Sequence, residues 1–156
     1  DASQKNQASL YAAAGADVII GGHPHRLQGV AYYGKTPVAY SLGNFWFSNG
    51  TLYTTVAQVV IQETGELQLR FLPCVQKDLI TGLLTDKAEK DEFYHYLAKI
   101  STNVVMDEEG NVYNKQELSE SDNRVFLYDT ATSTTSVIGG RDNDGYNIDI
   151  VGNRIQ

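Results

Sequence analysis

Gly15-Ala-Asp-Val-Ile-Ile-Gly-Gly-His-Pro-His-Arg26, followed after a hairpin by Tyr40-Ser-Leu-Gly-Asn-Phe-Trp-Phe47, decides how this chain is read. A short apolar run, Val18-Ile19-Ile20, stops at two glycines and delivers His23 and His25. A buried strand that ends in glycines and presents polar side chains at its carboxyl end is a common way to build a ligand-binding edge in an α/β protein. Upstream, residues 3–14 are alanine-rich, with Ala8, Tyr11, Ala12 and Ala14 near one face, and predict a helix stopped by Gly15. Helix, glycine and a fully apolar strand (Asp17 to Ile20) together make half of an α/β unit in a covered sheet.

Downstream the period changes to two. Val30–Tyr33 and Pro37–Ser41, separated by Gly34-Lys35-Thr36, predict a hairpin. Gly43-Asn44 breaks the second strand. Thr54–Gln62 and Leu67–Val75, joined by Glu63-Thr-Gly-Glu66, predict a second hairpin. Lys87–Ser101 reads as an amphipathic helix with Phe93, Tyr96, Leu97 and Ile100 as its stripe and His95 turned to solvent. Val104–Met106 and Val112-Tyr113 flank turn residues at Gly110-Asn111. Arg124–Tyr128 and Asn147–Val151 are strand-like, and Ala131–Ser136 is strand or linker. No internal repeat is present.

Composition narrows the function classes. At 156 residues and 42% hydrophobic the chain can bury a core. No apolar stretch reaches the roughly 20 residues of a membrane span. The first residue is Asp1, which reads as the start of a processed or excised piece. The net charge of −7 is concentrated after residue 77, where it is −8. This argues against nucleic acid as a partner. The single cysteine, Cys74, excludes an internal disulfide and reads as a structural thiol in a strand. Residues 1–105 are expected to form one unit and the acidic residues 106–156 an appendage.

His23 and His25 are the residues expected to carry chemistry. Neutral imidazole is the commonest metal ligand and suits Zn, Mn, Fe or Ni. Yet the 45 residues from Val18 to Gln62 contain no Asp or Glu. A hydrolytic metal site normally needs carboxylates, so the remaining ligands are expected from outside this chain. Asp17 reads as a surface or capping residue. Asp142-Asn-Asp-Gly145 lacks the closing glutamate of a calcium loop and reads as a turn. Arg26 is placed either to meet an anionic group or simply in solvent. Asn44 either turns its amide into the cleft or adopts the positive φ of a tight turn. Tyr40 and Ser41 are weaker cleft-lining candidates, and Ser41 has no acid partner nearby for a nucleophilic triad. Phe45, Trp46 and Phe47 read as core and rim packing.

The Gly-Gly-His-Pro-His motif, the hairpin with Tyr-Gly-Lys, and Tyr-Ser-Leu-Gly-Asn-Phe, in that order, resemble the closing portion of the bacterial capsule-synthesis family (CapA-like, poly-γ-glutamate capsule proteins). The resemblance runs over about residues 1–105. That family is similar to calcineurin-like metallophosphoesterases. The resemblance implies an α/β (α+β) fold, the C-terminal part of a four-layer αββα sandwich, mainly antiparallel with flanking helices. It implies a two-metal centre to which His23 and His25 each give a ligand, with the metal site incomplete in this chain; His23, His25 and, from the residue reading above, Asn44 are the candidate catalytic residues. The superfamily's upstream Asp-x-His, Gly-Asp and Gly-Asn-His motifs are absent here. The implied substrate is an anionic polymer or phosphoester, handled at the bacterial cell envelope or outside the cell. A non-catalytic surface scaffold is the alternative. Lacking the preceding half of its partner sheet, the isolated chain is expected to be inactive and to self-associate.

Overall fold

A computed structural model describes residues 1–47, 50–116, 125–128 and 135–139. Among these residues the fold is mixed α/β, mainly antiparallel, with two helices, as the resemblance implies. Helix α1 (Ala2–Ala13) begins at a capping box: Asp1 accepts from the Gln4 backbone N–H, and the Gln4 side chain returns to the Asp1 nitrogen. Only Ala8 is buried; Tyr11 stands outward.

The first sheet has the order β1-β3-β2 (Ile19–Ile20, Thr36–Ala39, Val30–Tyr33). β2 and β3 are the expected hairpin, in register from Val30↔Ala39 to Tyr33↔Thr36. β1 runs parallel to β3. Here the structure corrects the expectation of a covered strand: β1 is a two-residue edge, and Ile20 is 42% exposed. With one ladder and no neighbour on its other side among the described residues, β1 cannot bury both faces.

The second sheet has the order β4-β5-β6 (Leu52–Ile61, Leu67–Lys77, Ile80–Leu83). β4 and β5 pair over ten residue pairs, and Gly65 takes the positive φ of their turn. β6, which the sequence pattern did not predict, adds to β5 from Cys74↔Leu83 to Lys77↔Ile80.

Helix α2 (Lys87–Lys99) is capped by Asp86, which accepts from the Ala88 and Glu89 N–H groups. Its buried face is Phe93, Tyr94 and Leu97. Tyr96 and Ile100, expected in the stripe, are each more than a third exposed. Tyr94 replaces them because its hydroxyl donates to the Phe71 carbonyl across the core. The core joins Leu69 and Phe71 of β5, the α2 face, and Val30 and Ala39 of the first sheet.

β7 (Val104–Met106) and β8 (Val112–Asn114) form the anticipated small hairpin. Asp107 organises its turn, accepting from the Glu109 and Asn111 N–H groups. Met106 and Val112 belong to the same core, and the expected division at residue 105/106 falls inside this hairpin. β9 (Val125–Tyr128) pairs with β10 (Thr135–Gly139). Arg124, the 131–134 segment, the Asp142–Gly145 turn and the 147–151 strand lie outside the described residues. Among the described residues, no helix is long and apolar enough to cross a membrane.

Candidate functional site

The histidine loop leaves β1 through Gly21, whose N–H donates to the Ala39 carbonyl at 2.8 Å. That bond extends the β1–β3 ladder by one residue. A Cβ on Gly21 would overlap the Tyr40 carbonyl oxygen, so glycine lets the two backbones close. The chain then enters His23 at φ 84 and His25 at φ 56. Two non-glycine residues in the left-handed region within three positions are costly, at roughly 1–2 kcal/mol each. Such residues cluster at functional sites. An ordinary strand would send side chains of i and i+2 down the same face; this loop places both rings at the end of β1 by a different route, with centroids 6.3 Å apart.

A second loop comes to meet them. Leu27 and Leu42 form an isolated antiparallel bridge, which ties the segment after His25 to the segment before Asn44. Gly43 takes φ 85, and a Cβ there would lie 3.0 Å from the Leu27 nitrogen and 3.1 Å from the Tyr53 oxygen. Gly43 therefore supplies the positive φ that Asn44 was one candidate for, and Asn44 turns its side chain to chemistry instead. Asn44 Oδ1 lies 2.7 Å from His25 Nδ1. The Phe47 ring lies 5.1 Å from the His25 ring and is tilted by 42° to it.

The structure thus brings together His23, His25 and Asn44, and adds Phe47, a residue expected in core and rim packing. It does not bring Tyr40 and Ser41 to them. The Tyr40 hydroxyl is 2.9 Å from that of Tyr33, and burial, reinforced by Tyr33, pushes its pKa up. Tyr40 instead lines a cavity of about 310 Å³ between α1 and α2, with Gln4, Lys5, Gln28 and Tyr96. That cavity contains neither histidine. Ser41 is buried, and its hydroxyl accepts from the Gly43 N–H at 3.3 Å. Arg26 is exposed and forms no ion pair among the described residues.

Phe45, Trp46 and Phe47 are 54%, 69% and 74% exposed. Of the expected core and rim packing, this corrects the core part: the trio stands at the surface. The backbone carbonyl of Phe45 is tied by the Thr81 hydroxyl on β6, which holds the segment at the surface. Among the described residues no three His, Cys, Asp or Glu side chains gather as a metal-binding group. The His pair alone supplies two nitrogen donors and no charge to balance a cation.

Residues 1–49 match the family model described as bacterial capsule synthesis protein PGA_cap. This segment contains both histidines and Asn44. The chain is 34% identical over 89 residues to the capsule biosynthesis protein CapA of Bacillus anthracis, an alignment that covers 55% of this chain and 22% of that protein. It is 42% identical over 57 residues to the PGA biosynthesis protein CapA of Bacillus subtilis (strain 168), covering 36% and 15%. Over these segments the chain is similar to CapA-like capsule-synthesis proteins. It spans less than a quarter of the length of these CapA relatives. A protein of Sinorhizobium fredii (y4sH) shares 50% identity over 36 residues, 23% of this chain and 8% of that one.

Proposed function

We propose that this CapA-like chain is one portion of a capsule or poly-γ-glutamate biosynthesis protein with a metallophosphoesterase-like, metal-dependent hydrolase domain, acting at the bacterial cell envelope or outside the cell. His23 and His25 contribute the His-x-His half of its divalent-metal site. The observation that carries this reading is the loop after β1, which holds two imidazoles side by side through two left-handed residues. The donor set fits a transition-metal ion in kind, since neutral imidazole suits Zn, Mn, Fe or Ni. It is incomplete in number among the described residues. The carboxylates would come from sequence elsewhere in the protein, which accords with the small share of the relatives this chain spans.

A bound divalent ion would supply Lewis-acid polarisation and a more acidic water. The chain's own residues supply the rest. The imidazoles donate nitrogen lone pairs. Arg26, exposed and without an ion pair among the described residues, offers its guanidinium to a phosphoester or to the carboxylates of an anionic polymer. Asn44 fixes the ring of His25. A second reading, a non-catalytic scaffold for polymer synthesis or export, is favoured by the acid-free stretch from Val18 to Gln62.

The test is metal content by mass spectrometry on the full-length protein and on a His23→Ala/His25→Ala variant, with phosphodiester turnover measured in parallel. Metal that is lost in the variant, together with turnover, supports the hydrolase. Metal without turnover supports the scaffold. A full-length protein that takes up no divalent metal, or holds it equally without the histidines, overturns the proposal. The 156-residue chain alone is expected to turn over no phosphodiester.

A further inference from the structure

The contact between Asn44 and His25 specifies more than proximity. An imidazole nitrogen 2.7 Å from an amide oxygen is at hydrogen-bonding distance. An amide oxygen only accepts, so the nitrogen facing it must carry the proton. We infer that Asn44 is a positioning residue: it holds neutral His25 as the Nδ1–H tautomer and leaves Nε2 as the nitrogen with the free lone pair. The choice of protonated nitrogen in a histidine is set by the hydrogen bond made by the other one. Here that bond comes from a residue 19 positions away.

The surroundings make the pairing rigid. Asn44 follows Gly43, whose backbone is closed in by the Leu27 nitrogen and the Tyr53 oxygen. The Leu27↔Leu42 bridge joins the two loops at the base of the pair. The Phe47 ring lies beside the imidazole at 5.1 Å. Asn44 is half-buried and His25 exposed, so the pair stands at the protein surface. On this inference His25 has its proton on the nitrogen facing Asn44, and Nε2 keeps the lone pair for a cation or a proton. His23 has no such partner among the described contacts, so the two imidazoles are unequal. This inference gains its functional meaning from the metal-site reading above, but the tautomer itself does not depend on a metal.

The experiment is a long-range ¹H–¹⁵N correlation spectrum of the ¹⁵N-histidine-labelled chain at about pH 8, above the ordinary imidazole pKa of about 6.5. The chain has three histidines, so His25 is assigned from a His25→Ala variant. The expected His25 pattern shows a protonated Nδ1 and an unprotonated Nε2. Asn44→Leu is expected to shift it to an averaged pattern of exchanging tautomers, and Asn44→Asp to retain the Nδ1–H form. A protonated Nε2 in the wild type, or a pattern unchanged in Asn44→Leu, overturns the inference. Far-UV circular dichroism of each variant establishes that it is folded; if Asn44→Leu is not, the wild-type pattern with Asn44→Asp decides. Zinc is then titrated into the full-length protein. There Asn44→Leu is expected to weaken binding roughly 10–100-fold, the usual effect of losing a residue that orients a ligand. The expected tautomer with no zinc uptake would sink the metal reading and leave this inference standing. Zinc uptake by a protein whose His25 is the Nε2–H form would do the reverse.

Discussion

Gly21 and Gly22 are adjacent in sequence and should respond oppositely to the same substitution. The Gly21 N–H closes the β1–β3 ladder on Ala39. A Cβ at Gly21 would overlap the Tyr40 oxygen, lie 3.0 Å from the Tyr40 carbonyl carbon, and lie 3.3 Å from the Ala39 oxygen. All three are backbone atoms of, or just beyond, the central strand, so no rotamer change relieves them. β1 must move off β3, and the Gly21 hydrogen bond is weakened or lost. Overpacking costs about 1–3 kcal/mol, and the hydrogen bond about 1 kcal/mol more. Gly21→Ala is therefore expected to destabilise by about 2–4 kcal/mol. For a chain of this size that is about 4–16 °C in Tm.

Gly22 is the internal control. A Cβ there meets nothing within 4 Å, and its φ is not left-handed. Gly22→Ala should fall within about 0.5 kcal/mol of wild type, or gain up to about 1 kcal/mol from a less free unfolded chain. Urea unfolding followed by far-UV circular dichroism reads both, with midpoints compared at equal slope. Equal midpoints for the two variants would refute the claim that backbone contact with β3 anchors the histidine loop.

Three further outcomes follow from burial and exposure. Cys74 is buried and burial raises its thiol pKa, so it should react with a disulfide reagent only as the chain unfolds; rapid labelling in native buffer would contradict the placement. Burial raises the pKa of Tyr40, and that of Tyr94 to about 12, so the fold retains protons that the unfolded chain releases near pH 10. Stability from these two tyrosines is thus complete below about pH 10 and declines as pH rises through their folded values, which urea midpoints between pH 9 and 11.5 would register as a fall and a flat profile would disprove. Phe45, Trp46 and Phe47 form a contiguous exposed apolar segment, and the isolated chain is expected to self-associate through it. Light scattering should show a larger species that Phe45→Ser/Trp46→Ser/Phe47→Ser shrinks, with monomer at high concentration in the wild type as the opposing result.

The hairpins were legible because their signals are local. Gly34-Lys35 before Pro37 marks one turn, and Asp107 with Gly110 marks another, with the Asp107 side chain capping the turn. β6 was not legible. It follows Asp78 and Leu79, both at positive φ, and a leucine gives no hint of a left-handed turn. The α2 face was misassigned because the period alone does not distinguish Tyr94 from Tyr96. The choice was made by tertiary contacts, the Phe71 carbonyl and the close approach of Gly110 to the Tyr94 hydroxyl. The histidines were legible by residue type and by the glycines before them. Asn44 was legible as a cleft candidate, but its pairing with His25 was not, because that contact depends on the Leu27↔Leu42 bridge, a pairing with no sequence signature.

The left-handed histidines offer a last test of what the loop is for. His23 is exposed, so replacing it removes little packing. At φ 84 a side chain costs roughly 1–2 kcal/mol that glycine avoids, while glycine loses about 0.5–1 kcal/mol in chain entropy. His23→Gly should therefore be as stable as wild type or up to about 1.5 kcal/mol more stable. His23→Val, with a branched Cβ in the left-handed region, should be roughly 1–2 kcal/mol less stable than His23→Gly. His25 should behave differently: glycine there relieves the backbone but removes the Asn44 hydrogen bond and the Phe47 contact, so no gain is expected. Thermal unfolding of the three variants reads the pattern. Equal stability for His23→Gly and His23→Val would mean that the loop is not held in this conformation. The expected order would mean that the fold keeps a histidine where glycine serves stability as well or better, and that is the signature of a residue retained for its imidazole.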